Sequence, residues 1–195
     1  MKLRSLTTVE DDGGLKGTSR SWRISILLGF IGLAVYAIGF STDRWCQVDS
    51  ERQLNQSVEV IDAHFGLWRK CERITLHREV IKDDCETQDN DETWKPVAKV
   101  MCSVGLAILV VGYVSAILAG CYQNMNVMGF AGISLVIGGV VSALGSAVFI
   151  GKARDDNDRV DADYSVYFAL MGSAVLIISG GAQLLSVRSG YSTLA

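Results

Sequence analysis

Residues 64–85, HFGLWRKCERITLHREVIKDDC, form a polar segment with two cysteines, hung between hydrophobic runs. Gly66, Leu67 and Trp68 stand at its centre, Cys71 follows three residues after Trp68, Cys85 lies further on, and Trp45 lies well upstream. Val58 and Val60 alternate with polar neighbours. Phe65, Leu67, Arg69 and Cys71 share one parity, while Gly66, Trp68 and Lys70 take the other. A period of two with β-branched and aromatic residues predicts short antiparallel strands, with Gly-Leu-Trp inside one of them. So small a sheet buries little apolar surface and needs a covalent staple.

Outward from this segment the chain becomes apolar. Hydrophobic residues make up 49% of it, yet charge is absent from four windows: residues 24–42, 100–122, 127–150 and 166–187. A hydrocarbon core roughly 30 Å thick takes about 20 helical residues to cross, and each window has about that length. Transmembrane strands are excluded because the runs show no inside–outside alternation, and lone strands in lipid leave their amides unsatisfied. Four spanning helices follow, with membrane lipid as their surroundings.

Flanking charge sets the orientation. Lys2, Arg4, Lys16, Arg20 and Arg23 precede the first span, two of them immediately, and Arg188 follows the last. Short cytoplasmic flanks hold the excess of Lys and Arg, so both ends are expected inside the cell. The chain then divides into a cytoplasmic tail (residues 1–23), a four-span domain (24–187) and a second cytoplasmic tail (188–195). Loops 43–99 and 151–165 face outward. Trp22 is expected at the inner headgroup level. The competing reading of the start, a cleaved signal peptide with Ala37 and Gly39 near the cut, is disfavoured by the acidic residues Glu10, Asp11 and Asp12 and by the length of the apolar run.

The spans carry glycine at 29, 32 and 39 and, more densely, in the third, where Gly138 and Ser142 stand four apart, as do Gly139 and Ala143. Lipid supplies no hydrophobic drive for helix association, so small residues that admit close backbone approach mark the packed faces. Contact within the chain's own bundle is favoured over a face for a second copy. The link around residues 122–126 is short and uncharged, which forces an antiparallel helix pair.

Three of the five cysteines, Cys46, Cys71 and Cys85, fall outside, so three pairings are open and one thiol is always left over. The pairing of Cys71 with Cys85 is preferred. It closes a loop of about 15 residues, for which chain entropy predicts roughly 3 kcal/mol, while Cys46 follows Trp45 at the membrane edge. Zinc held by these cysteines with His64 and His77 lacks a CxxC or HxxxH pair, so no metal is expected. Cys102 reads as packing within the second span, and Cys121, at that span's cytosolic end, as a candidate for palmitoylation. Asn55-Gln56-Ser57 is a glycosylation acceptor. The second outer loop carries Asp155, Asp156, Asp158, Asp161 and Asp163, but lacks the Gly and Glu of a calcium loop and reads as a solvated acidic cap. No phosphate-cradling loop, HExxH or Ser-His-Asp set is present, and no enzyme activity, cofactor or nucleic-acid partner is expected.

Trp45, Gly66-Leu67-Trp68, Cys71 and Cys85 in the first outer loop of a four-span chain resemble the claudin superfamily, which includes the peripheral myelin protein, epithelial membrane protein and calcium-channel gamma subunit groups. The specific motif covers only the first loop, whereas the likeness in topology covers the whole chain. The resemblance implies a membrane all-α four-helix bundle, left-handed, capped by a small extracellular antiparallel β-sheet with one strand from the second loop. It also implies that Leu67 and Trp68 anchor the sheet to the bundle and that Cys71 and Cys85 tie two strands. Trp94 and Pro96 suit the start of the second helix. The cysteine separation and the N-terminal tail are longer than the family pattern. Ser192-Thr193-Leu194-Ala195 ends in a residue too small for a PDZ pocket, so scaffold attachment is not expected.

Two functional classes follow. One is a plasma-membrane protein of cell–cell junctions, adhesion or the paracellular barrier, whose partners are copies of itself or related four-span proteins in the same or the apposed membrane. The other is an auxiliary or trafficking subunit of an ion channel or receptor. A transporter is disfavoured because the spans lack intramembrane charge.

Overall fold

The computed structural model describes residues 20–54, 57–76, 79–87, 93–122, 124–156 and 160–192. Its elements run α1 (Arg20–Ser41), β1 (Cys46–Leu54), β2 (Ser57–Phe65), β3 (Arg69–Leu76), β4 (Glu79–Thr87), α2 (Trp94–Tyr122), α3 (Met125–Asp156), β5 (Val160–Ala162) and α4 (Tyr164–Ser192). All four helices are long and apolar enough to cross a membrane.

The helices are longer than the uncharged windows because polar residues extend them at the ends. Asn124 caps α3, its side-chain Oδ1 accepting the backbone N–H of Asn126 at 3.0 Å and of Val127 at 3.4 Å. At the start of α4, Asp163 Oδ1 accepts the N–H of the next residue, Tyr164, at 2.6 Å. Pro96 lies in the first turn of α2, where a missing N–H costs nothing. At the end of α1 the Thr42 N–H bonds the Ile38 carbonyl at 3.2 Å, and its hydroxyl hydrogen is shared between the carbonyls of Ile38 (2.9 Å) and Gly39 (3.0 Å).

The bundle is held by close approach. α2 packs along α3, α3 along α4 and α4 along α1, while α1 and α2 touch only slightly. A Cβ on Gly39 would lie 2.6 Å from the Ala169 nitrogen, one on Gly172 2.5 Å from the Tyr36 nitrogen, and one on Gly180 2.7 Å from the Gly132 carbonyl oxygen. Gly138 meets Leu109, Gly139 meets Ile177, and Ser142 sits against Gly105. These small residues are therefore committed to contacts within the chain. Polar bonds add to them: Ser25 and Ser179 exchange bonds between α1 and α4, and Tyr36 Oη donates to the Cys102 carbonyl at 3.1 Å. Large apolar side chains such as Leu27, Phe30, Val111, Val114, Met171 and Ile178 point outward, as lipid-facing residues do. Trp22 departs from the sequence expectation. Its ring is buried against Ala116, Ala119 and Ala131, whose small side chains open a place for an indole inside the bundle instead of among headgroups.

At the opposite end from the α2–α3 link, the strands form one antiparallel sheet in the order β4-β3-β2-β1-β5. Four strands come from the first loop, and the second loop adds β5 along the β1 edge. The Gly-Leu-Trp segment is not a strand. β2 ends at Phe65 and β3 begins at Arg69, with Gly66 N–H donating to the Arg69 carbonyl at 2.8 Å across the turn. The alternation that suggested a strand breaks here because Gly66 presses on the backbone after α1 and Leu67 is drawn wholly inward, while Trp68 stays partly exposed.

Candidate functional site

The feature that organises the molecule is the junction between sheet and bundle. Trp45 is fully buried there, and its indole N–H donates to the Gly39 carbonyl at 2.7 Å, fastening β1 to the last turn of α1. Its backbone is held on two sides as well: the Trp45 N–H bonds the Phe65 carbonyl at 3.1 Å, and the Trp45 carbonyl accepts the Asp163 N–H at 2.9 Å. The two strand-bearing loops thus meet at one residue.

Phe149, near the end of α3, receives three rings. Trp45 stands edge-on at 5.1 Å between centroids, Trp94 at 5.5 Å, and Phe65 is tilted at 6.2 Å. Aromatic pairs in such edge-to-face arrangements add about 0.5–1.5 kcal/mol beyond area burial. The Gly-Leu-Trp turn fixes the other side. Leu67 has no exposed surface, and Trp68 stands edge-on to Phe40 of α1 at 5.4 Å. A Cβ on Gly66 would fall 2.5 Å from the Asp43 Cα, so only glycine lets the turn settle on the chain leaving α1. Neither Phe149 nor Asp43 belongs to a sequence motif. An aromatic near the outer end of the third window was the available signal for the first, and nothing marked the second.

Cys71 on β3 and Cys85 on β4 stand directly opposite each other, 4.1 Å apart at Cα, and are joined by a disulfide. Cys71 is buried and Cys85 exposed. On the far side of Cys71, its Sγ lies 3.7 Å from Asp43 Oδ2, and His64 is its register partner on β2. One ligand atom from each of Asp43, His64 and Cys71 falls within 4.8 Å of the others. His77 lies outside the described residues, as does the glycosylation candidate Asn55.

Among the described residues three cysteines are free: Cys46 and Cys102, both buried, and Cys121, exposed at the end of α2. Cys102 packs against Gly145 of α3. Burial pushes the Cys46 thiol up from 9.0 to about 12, Asp163 adding to the rise and Arg154 opposing it. The fold therefore favours the neutral thiol. That preference is fully present below the ordinary value and is lost as pH climbs from about 9 towards 12. Maleimide applied to the native protein at neutral pH is expected to modify Cys121 and spare Cys46 until the chain is unfolded. Peptide mass spectrometry reads the difference, and early modification of Cys46 would show the β1 edge to be open.

The outward part of the sheet is polar. Lys70 faces Glu86 across β3 and β4, half-buried Glu72 faces Asp84, and Arg69, Arg73 and Thr87 are exposed.

Four membrane-length helices carrying a disulfide-bonded antiparallel sheet on one end define a multi-pass membrane protein with a rigidly seated β head. The PMP-22/EMP/MP20/Claudin tight junction family profile matches residues 30–187. The chain belongs to that family. A search of curated proteins returned no match.

Proposed function

We propose that this protein acts at cell–cell contacts of the plasma membrane, with both termini in the cytoplasm and the sheet outside, meeting copies of itself or related four-span proteins through that sheet. The observation that supports it most is the junction at Trp45 and Phe149. A sheet clamped by three rings and an indole hydrogen bond holds a fixed attitude to the membrane, and its exposed charged strands β3 and β4 lie away from the clamp. A surface already rigid before it meets a partner loses less conformational entropy on binding. The role is non-catalytic. In this reading Asn55 is glycosylated, and palmitoylation of Cys121, exposed at the opposite end, holds that end of α2 at the inner leaflet.

The test is expression in cells that build no junctions of their own. Enrichment where two expressing cells meet, and not where an expressing cell meets a non-expressing one, is the expected result. Uniform surface distribution would overturn the reading, and stoichiometric co-purification with an ion channel in mild detergent would replace it with an auxiliary-subunit role. An epitope beside Asn55 is expected to be reached by antibody without permeabilisation; access only after permeabilisation would reverse the orientation.

A further inference from the structure

We propose that opening the Cys71–Cys85 disulfide creates a binding site for a single divalent transition-metal ion of the zinc type, held by Cys71 Sγ, a ring nitrogen of His64 and a carboxylate oxygen of Asp43. The three ligand atoms already lie within 4.8 Å of one another, with Sγ and Oδ2 3.7 Å apart. Around tetrahedral zinc, with bonds of about 2.0–2.3 Å, ligand atoms sit about 3.3–3.5 Å apart, so modest side-chain movement completes the set. Each ligand rests on a fixed element. His64 and Cys71 are register partners on β2 and β3, and Asp43 is held in place by the Gly66 turn packed on its backbone. Three protein ligands leave a fourth position for water.

The redox state gates the site because a disulfide sulfur is a poor ligand and a thiolate a strong one. Cys85 is exposed and Cys71 buried, so an external thiolate reaches the Cys85 sulfur first. Its attack forms a mixed disulfide with Cys85 and expels Cys71 as a thiolate. A second external thiol then releases Cys85 and leaves the two reductant thiols joined as a disulfide. The freed Cys71 thiolate stands beside the Asp43 carboxylate, two anions in a partly buried pocket, and a divalent cation bound between them removes that repulsion. Bound metal would link β3 to β2 and to the end of α1.

Cobalt(II) is the probe, because a thiolate ligand gives it a charge-transfer absorption. Full-length protein in detergent is reduced with a trialkylphosphine, which with one water becomes the phosphine oxide while the disulfide becomes two thiols. It is then desalted without air and titrated with Co2+. Reduced wild type is expected to develop the charge-transfer band to one equivalent, whereas the oxidised protein is expected to show none. Reduced His64→Gln and Asp43→Asn are expected to lose at least tenfold in affinity. Cys85→Ser, which frees Cys71 without reductant, should bind like reduced wild type. A silent reduced wild type, or a band unchanged in His64→Gln, would overturn the proposal; the second result would place the metal on other cysteines. An unchanged limited-proteolysis pattern of the sheet segment, relative to reduced wild type, separates loss of the site from loss of the fold in each variant.

Discussion

Replacing Trp45 by alanine is expected to lower the stability of the protein by about 3–5 kcal/mol, the usual cost of truncating a large buried aromatic. The side chain is wholly buried and contacts Phe149, and its N–H is bonded to the Gly39 carbonyl. Membership of the core and of the loop–helix connection coincide in this one residue, so the cavity opens where sheet and bundle meet. Against a native stability of about 5–15 kcal/mol such a loss is a large share of the whole. Thermal unfolding in detergent and the surface fraction in cells are both expected to fall sharply. Trp45→Phe separates the two contributions. It keeps a ring against Phe149 and loses the hydrogen bond, while the Gly39 carbonyl still accepts from Thr42 Oγ1. Part of the Trp45→Ala loss should therefore return. Equal melting temperatures for wild type and Trp45→Ala would mean that the sheet is not seated as described.

The second large effect lies inside the membrane. At Gly172 the space for a side chain is occupied by backbone: a Cβ there would sit 2.5 Å from the Tyr36 nitrogen and 2.8 Å from the Gly32 carbonyl oxygen. Backbone cannot rotate away as a flexible side chain can, so Gly172→Val must push α1 and α4 apart. Overpacking of this kind costs about 1–3 kcal/mol, occasionally more. The separation also strains the bonds between Ser25 and Ser179 further along the same helix pair. Gly181, on the same helix, has nothing within 4 Å of its would-be Cβ. Gly181→Ala is therefore expected to be neutral or slightly stabilising, since alanine is the better helix former. Melting temperatures of the two variants provide the check, and equal values would show that α1 and α4 are not in close contact at this level.

Much of this architecture could be read before the structure because its causes are local. Twenty uncharged apolar residues specify a spanning helix whatever surrounds them, and a short uncharged link specifies an antiparallel pair. The chain's cysteines and its Gly-Leu-Trp signature pointed to the family for the same reason: a few residues carry it. The strand boundaries were not legible. Gly66, Leu67 and Trp68 continue a period-two pattern by parity, and what breaks the strand is their separate packing on Asp43, the core and Phe40, none of it encoded nearby. Trp22 was misplaced for a related reason. An indole next to a span usually sits among headgroups, but here alanines almost a hundred residues away make a socket for it. Phe149 was one apolar residue among many until three rings converged on it.

That convergence also bears on the order in which the chain can assemble. Trp45, Phe65 and Trp94 all precede Phe149 in the sequence and come from the residue just before β1, the end of β2 and the first residue of α2. As synthesis proceeds, the whole first loop and the second helix are complete before the residue they gather around has left the ribosome. A nascent chain halted short of α3 therefore carries three aromatic side chains with no seat. Final docking of the head onto the membrane segment must wait for the third helix, and chains that fail at that step present the same exposed rings to whatever surveillance meets them.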